Sequence, residues 1–162
     1  MPPNVGVVMR NIVMRSQNGE LLAELNRHAA RFLVVGGVGV HFYAPERAYG
    51  DLDILIDPSP LNAGRLLLAL QHLRIEPGFN VGVLAQPKIH LPIKILEFDV
   101  DVITPATDVD FASEWERATD AHIEYQPVRI AARDLLIRMK SGTDRHTDAA
   151  DIEILRRAMP VE

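Results

Sequence analysis

The chain has no cysteine among its 162 residues. This absence excludes disulfide bonds and zinc sites built on thiolates. The fold must therefore be held by an apolar core, and a chain of this length buries about two-thirds of its unfolded surface, which makes such a core sufficient. The lack of cysteine fits the cytoplasm, which is the compartment we expect.

Long apolar runs and an excess of positive charge are also missing. No uninterrupted apolar stretch approaches the ~20 residues of a membrane span, and the start, Met1–Asn4, lacks the pattern of a signal peptide. We therefore expect no membrane partner. The formal net charge is −5, so the chain as a whole lacks the basic footprint of nucleic-acid-binding proteins, although a local patch could exist beside an acidic site.

The sequence does contain an ordinary share of apolar residues, 48%. At this length we expect a single domain over residues 1–162. Helical periodicity predicts helices over about residues 19–31, 61–73, 131–140 and 146–158, and strand patterns cover residues 33–35, 51–57 and 94–104.

An apolar strand pattern runs into Gly36 and Gly37, and thirteen residues later a second strand carries Asp51 and Asp53. Residues i and i+2 of a strand point the same way, so the two carboxylates are predicted on one face, roughly 6–7 Å apart along the strand. Carboxylates at that spacing suit divalent cations, which bind nucleotide phosphates and assist phosphoryl transfer. The alternative is the solvated face of an antiparallel strand.

A second acidic pair, Asp99 and Asp101, alternates with apolar residues in the segment 94–104. If this strand lies beside the first, a third carboxylate joins the pair, and crowded carboxylates require either cations or raised pKa values. Taken alone, the pattern of this segment is equally consistent with a strand that exposes one polar face to solvent. Two acidic strands in one small chain favour the metal site.

The glycine pair has its own interpretation. Glycine lets a backbone pass close to a ligand, and the N–H groups of a following helix can receive a phosphate. The alternative is an ordinary tight turn between a strand and a helix. A dinucleotide-binding site fits poorly because Phe42 stands where that fingerprint needs its third glycine.

Charged residues also gather near the junction of the last two predicted helices. Asp148 and Asp151 are three residues apart and share a helix face, with Lys140 and Arg145 nearby. Without further context, this pattern is more often structural than chemical. The histidines at 41, 90 and 146 show no spacing typical of metal ligands.

The runs Gly36–His41 and Arg47–Ile54 resemble the nucleotidyltransferase superfamily. The similarity is to its minimal members, among them the AbiEii-like toxins and small antibiotic nucleotidyltransferases. In that family Gly-Gly or Gly-Ser and a short helix precede an Asp-x-Asp strand, and a third Asp follows on a later strand. Here Asp101 resembles that third residue, with Asp99 as the alternate.

The C-terminal segments Arg133–Lys140 and Arg145–Ile152 are similar to the tail of the same family, so the resemblance covers about residues 20–157. It implies an α/β (α+β) fold with a small mixed sheet flanked by helices, the C-terminal helices packed alongside. One departure is Tyr49, where Thr or Ser is usual, and this residue is expected to reshape the nucleotide pocket.

The resemblance also implies the site. The catalytic carboxylates, which would hold two Mg²⁺ ions, are Asp51, Asp53 and Asp101. The residues that would bind the nucleoside triphosphate or position its ligands are Gly36, Gly37, Arg47, Lys140 and Asp148.

The implied reaction transfers a nucleoside monophosphate from a nucleoside triphosphate to an acceptor hydroxyl on RNA, a protein or a small molecule. A role as the toxin of a toxin–antitoxin pair, with a cognate antitoxin as partner, and homo-oligomerisation stay open. The rival hypothesis is a non-catalytic nucleotidyltransferase-like scaffold that binds a nucleotide or a partner protein.

Overall fold

The computed structural model describes residues 10–14, 16–141 and 145–158. The strands are β1 (Asn11–Ile12), β2 (Phe32–Val35), β3 (Leu52–Ile56), β4 (His90–Ile93), β5 (Val100–Ile103), β6 (Thr119–Ile123) and β7 (Gln126–Ile130). The helices are α1 (Asn18–Arg27), α2 (Gly36–Tyr43), α3 (Pro60–His72), α4 (Val81–Leu84), α5 (Phe111–Arg117), α6 (Arg133–Lys140) and α7 (His146–Arg157).

The strands form a 7-stranded mixed sheet in the order β1-β6-β7-β2-β3-β5-β4. The pairs β1/β6, β2/β7 and β3/β5 are parallel, whereas β2/β3, β4/β5 and β6/β7 are antiparallel. β2 and β3 are central strands, and their apolar side chains alternate between the two faces. The predicted fold class, a mixed sheet flanked by helices, is confirmed.

A larger core lies on one face of the sheet. It contains the alternate strand residues Leu52, Ile54 and Ile56, all buried, together with aliphatic side chains of α1 and α3. Ser59 caps the N-terminus of α3, and its hydroxyl accepts from the N–H of Asn62. Pro60 occupies the first helical position, where its missing N–H costs nothing.

A smaller core lies on the opposite face, between the sheet and the helices α5, α6 and α7. It contains Leu55 and Ile103 from the central strands, and Leu135, Leu136 and Leu155 from the C-terminal helices. The C-terminal helices therefore pack alongside the sheet, as expected. In the described part of the chain, no helix has the length and apolar character needed to cross a membrane.

The predicted strand over residues 94–104 is only half right. β5 covers Val100–Ile103, but Leu96 has a φ of 56° and the N–H of Phe98 donates to the carbonyl oxygen of Ile95 at 3.0 Å. Residues 95–98 therefore form the turn between the antiparallel strands β4 and β5. The period-two pattern concealed this turn because it contains neither glycine nor proline.

Candidate active site

Neighbouring strands bring the predicted carboxylates together. β3 and β5 are parallel, and their register places Asp53 opposite Asp101. One step earlier, Asp51 precedes β3, and the N–H of Leu52 donates to the carbonyl oxygen of Asp99 at 3.1 Å. Because alternate strand residues share a side, Asp53 and Asp101 lie on the face that carries the smaller core, and Asp51 and Asp99 stand just before the two strands. The two acidic segments of the sequence therefore meet.

Asp53 and Asp101 form the inner pair. Burial, followed by the negative charge and hydrogen bond of Asp101, raises the pKa of Asp53 to about 7, and the charge of Asp51 adds to this effect. The ammonium group of Lys140 acts in the opposite direction. A carboxyl group whose pKa is raised by carboxylate neighbours gains most from a cation, so the inner pair is a favourable place for a divalent metal ion.

Asp51 and Asp99 form the outer pair, bridged by Lys94. The Lys94 ammonium group contacts Asp51 and lies 2.8 Å from Oδ1 of Asp99. Hydrogen bonds with Asp99 and Lys94 lower the pKa of Asp51, whereas the hydrogen bond with Asp51 raises the pKa of Asp99. These side chains are exposed (42% for Asp51 and 44% for Asp99), so solvent-borne ligands can reach the outer pair.

Gly36 fits closely against Asp53. It is the first residue of α2 and has a φ of +63°, a left-handed conformation that favours glycine. A Cβ atom at this position would lie 2.8 Å from Cγ and 2.9 Å from Cβ of Asp53. At Gly37 the nearest such neighbour is Nη2 of Arg47 at 3.9 Å. The glycine pair thus carries the backbone past the inner carboxylate at the N-terminus of α2, where N–H groups favour anions.

A buried carboxylate on α7 organises the cations of the site. Asp151 is 1% exposed; it accepts from Arg47 through Nε at 2.6 Å and Nη2 at 3.2 Å. The Lys140 ammonium group lies 2.9 Å from Oδ2 of Asp151 and 3.2 Å from Oδ1 of Asp148. Burial alone would raise the pKa of Asp151, but the hydrogen bonds from Arg47 and Lys140 outweigh it and hold that pKa below its ordinary value.

These contacts bring all eight predicted site residues to one region: the carboxylates 51, 53 and 101, the glycines 36 and 37, and Arg47, Lys140 and Asp148. The predicted site residues leave out two partners. Asp151 is predicted on one helix face with Asp148 but without a role in the site. Lys94 has no signal in the sequence, because its place beside the outer pair depends on the β4–β5 turn.

Two cavities flank the carboxylates. One, of about 410 Å³, is lined by Tyr49, Asp51 and Asp99 among others. The phenol of Tyr49 donates to the carbonyl oxygen of Val13 at 2.5 Å, and its ring lies 4.5 Å from that of His41. Tyr49 thus forms part of the cavity wall next to the outer pair.

The second cavity, of about 490 Å³, lies further along the same strands. Its wall includes Leu55 and Ile103, each two residues beyond a carboxylate of the inner pair, and the polar side chains of Lys88 and Arg138. Since alternate residues of a strand share a face, this cavity lies on the carboxylate side of the sheet. Its volume is typical of small-molecule sites.

Comparisons with known proteins find similarity of fold among solved structures. No protein-family model matches the chain, and no curated protein matches it. Among solved structures, the chain is similar to the lincosamide antibiotic adenylyltransferase LnuA with lincomycin bound, with a TM-score of 0.59 and 17% identity over 92% of this chain and 100% of that one. A match to an antigenic nucleotidyltransferase-like protein from Paracoccidioides brasiliensis has a TM-score of 0.41 and 17% identity, covering 86% of this chain and 76% of that one.

The adenylyltransferase match spans the whole of that chain and nearly the whole of this one, so the two share a fold. The architecture described above is therefore a nucleotidyltransferase-like fold. At 17% identity the likeness does not extend to the AbiEii-like group or to a substrate.

Proposed function

We propose that this protein is a Mg²⁺-dependent nucleotidyltransferase that transfers a nucleoside monophosphate from a nucleoside triphosphate to an acceptor hydroxyl. The observation that supports it most is the register of β3 and β5, which sets Asp53 directly beside Asp101. A fold shared with an adenylyltransferase adds to this support. A scaffold protein would gain nothing from two adjacent, half-buried carboxylates, because their repulsion destabilises the folded state.

The chemistry of the residues present suits a magnesium site, but their side chains must move closer together to share an ion, because no three of these carboxylates, all in the described part of the chain, place oxygen atoms within 4.8 Å of one another. The donor atoms are carboxylate oxygens, which hard divalent cations prefer. Asp51, Asp53 and Asp101 would hold the metal, with Asp99 within reach of Asp51. Bound Mg²⁺ supplies positive charge that neutralises the triphosphate and makes the acceptor hydroxyl more acidic.

The remaining roles belong to the side chains and backbone. The backbone N–H groups at Gly36 and Gly37 would bind the β and γ phosphates at the start of α2. Lys140, held by Asp148 and Asp151, would neutralise phosphate charge. Arg47 is held in a two-point contact by Asp151, which fixes the loop before β3.

In the transfer step, the acceptor oxygen forms a bond to the α-phosphorus and the bond to the bridging oxygen of the leaving pyrophosphate breaks. Asp101 would accept the proton that the acceptor hydroxyl loses. The products are a nucleotidylated acceptor and pyrophosphate.

For the acceptor we favour a small hydroxyl-bearing molecule over RNA or a protein. The cavity of about 490 Å³ beside Leu55 and Ile103 has the volume of a small-molecule site and continues the carboxylate face. The adenylyltransferase that shares the fold was solved with lincomycin, a small molecule, bound. The net charge of −5 is also unfavourable for a large RNA.

The decisive experiment is calorimetric titration with ATP, CTP, GTP and UTP, in Mg²⁺ and in EDTA. We expect Mg²⁺-dependent binding of at least one triphosphate to the parent, and its loss in Asp53→Asn and Asp101→Asn. Asp120→Asn is the matched control, because Asp120 is a strand residue of the same sheet paired with Arg129. Equal binding by Asp53→Asn and the parent would refute the assignment of the carboxylates.

The other outcomes are also informative. Binding of a triphosphate without Mg²⁺ and without dependence on Asp53 would favour the non-catalytic scaffold. If a triphosphate binds, its α-³²P-labelled form is the donor with which to search for the acceptor. The toxin–antitoxin role, the antitoxin partner, homo-oligomerisation and the cytoplasmic location stay predictions.

A further inference from the structure

A cluster of metal-binding side chains lies away from the carboxylates. Glu24 lies near the end of α1, His28 is the residue that follows this helix, and His72 is the last residue of α3. One carboxylate oxygen of Glu24 and one ring nitrogen of each histidine lie within 4.8 Å of one another. Glu24 and His28 are four residues apart, which sets them on the same helix face. Tertiary packing of α1 on α3 adds the third side chain.

The buried carboxylate of Glu24 points to a ligand. The residue is 9% exposed, and its Oε2 atom is buried and has no hydrogen-bond partner among the described residues. Arg27 contacts the other oxygen, Oε1. Oε2 instead faces the two imidazoles, 3.7 Å from Nδ1 of His28 and 3.8 Å from Nδ1 of His72. Nδ1 of His28 also donates to the carbonyl oxygen of Glu24 at 2.9 Å, so a metal ion that binds this nitrogen would replace that hydrogen bond. A buried oxygen without a donor is costly, and a cation between these groups would remove that cost.

We propose that Glu24, His28 and His72 form a binding site for a divalent transition metal ion of the Zn²⁺ type. Two imidazoles and a carboxylate are a donor set that Zn²⁺ accepts, and water would complete four-coordination. Tetrahedral Zn²⁺ with bonds of about 2.0–2.1 Å holds its ligands roughly 3.3 Å apart. The three ligand atoms lie within 4.8 Å of one another, so binding requires a contraction of up to about 1.5 Å. His72 can provide it, because its side chain is 62% exposed.

Residues near the carboxylates contribute nothing to this cluster. α1 and α3 cover the larger core, whereas Asp53 and Asp101 lie on the face of the smaller core, so the sheet separates the two places. The metal would join the C-terminal ends of α1 and α3. We therefore expect it to stabilise the fold and to take no part in nucleotide transfer, so this inference is independent of the proposed function.

The test is titration of the parent protein with Zn²⁺ in excess Mg²⁺, which competes for carboxylate-only sites. We expect one Zn²⁺ per chain and a rise in melting temperature of roughly 5–10 °C at saturating metal. In His72→Gln and His28→Gln the affinity should fall by at least about tenfold, since even indirect partners of a metal are worth that much. Co²⁺ bound in place of Zn²⁺ should show the strong visible absorption of four-coordination.

Two control variants locate the bound metal. His122→Gln, a histidine of β6 outside the cluster, and Asp53→Asn should both bind Zn²⁺ as the parent does. His72→Gln keeps the test informative if His28→Gln fails to fold, because His72 is exposed and its substitution opens no cavity. Unchanged affinity in His72→Gln, or loss of binding in Asp53→Asn, would overturn the proposal. So would the absence of Zn²⁺ binding.

Discussion

The two faces of the sheet are built from alternate residues of the same strands, but one face is apolar and stabilises the fold, whereas the other carries crowded carboxylates. On β3, Leu52, Ile54 and Ile56 enter the larger core and are almost fully buried. Asp53, between them, points to the other face and meets Asp101; burial, together with the negative charge of Asp101, raises the pKa of Asp53 to about 7. Free energy gained by burial on one face therefore offsets the repulsion that the other face maintains. A site with charges held in place requires such a rigid support.

The largest effect should come from the apolar face. Ile54 is 0% exposed, so Ile54→Ala should lower the free energy of unfolding by about 3–4 kcal/mol, through lost burial and the cavity left behind. Leu68, which is 52% exposed, supplies the control, and Leu68→Ala should change the free energy of unfolding by less than about 0.5 kcal/mol. Denaturant unfolding measures both values. Similar losses in the two variants would contradict the burial of β3.

The glycine pair offers the next sharpest contrast. Gly36→Ala forces a Cβ against Asp53 and strains a left-handed φ, so we expect a loss of about 3 kcal/mol and displacement of the inner carboxylate. Gly37→Ala, where the added Cβ would meet its nearest neighbour at 3.9 Å, should leave the free energy of unfolding unchanged or raise it by up to about 1 kcal/mol, because alanine favours the helix. Thermal unfolding and triphosphate titration read out the two effects. Equal tolerance at both positions would argue against the close fit at Gly36.

Replacing the inner carboxylate should stabilise the metal-free protein while abolishing metal-dependent binding. The pKa of Asp53 in the folded state, about 7, lies above its ordinary value, so the folded state binds the proton more tightly than the unfolded state does. The free energy of unfolding of the parent therefore falls as the pH rises from about 4 to above 7. Asp53→Asn removes that penalty. In EDTA at pH 8 we expect a gain of about 2 kcal/mol over the parent, shrinking towards zero at pH 4.

Unfolding of parent and variant at several pH values, in EDTA and in Mg²⁺, tests this expectation. Mg²⁺ should stabilise the parent and leave Asp53→Asn unchanged. Asp120→Asn, on an outer part of the sheet, should show neither effect. A difference between Asp53→Asn and the parent that does not grow with pH would mean that Asp53 is not crowded by negative charge.

The smallest change in the free energy of unfolding should come from replacing Lys94, the exposed lysine that bridges the outer pair. Lys94 is 49% exposed and its partners are of similar exposure, so Lys94→Gln should cost less than about 1 kcal/mol and the cost should fall in high salt. Lys140, 13% exposed against the buried Asp151, is the contrast, and Lys140→Gln should cost about 3 kcal/mol. Denaturant unfolding at low and high salt separates the two. A larger loss at Lys94 would reverse this order.

Periodicity predicted most of the helices and central strands because their apolar spacing is local. It missed the short elements β1 and α4, which contain too few residues to show a period. It also predicted one strand over residues 94–104, where the structure has the β4–β5 turn followed by β5. The predicted single domain stays a prediction over the full chain.

The sequence by itself determined the local motifs of the candidate site, which are the glycine pair, the alternating aspartates and the cations of the C-terminal helices. Their resemblance to nucleotidyltransferases led to the fold. Only the tertiary structure decided that Asp53 faces Asp101, that Asp151 holds Arg47 from 104 residues away, and that His72 joins Glu24 and His28. The physical reason is that strand register and helix packing act between segments distant in the chain, whereas periodicity reports only on neighbours.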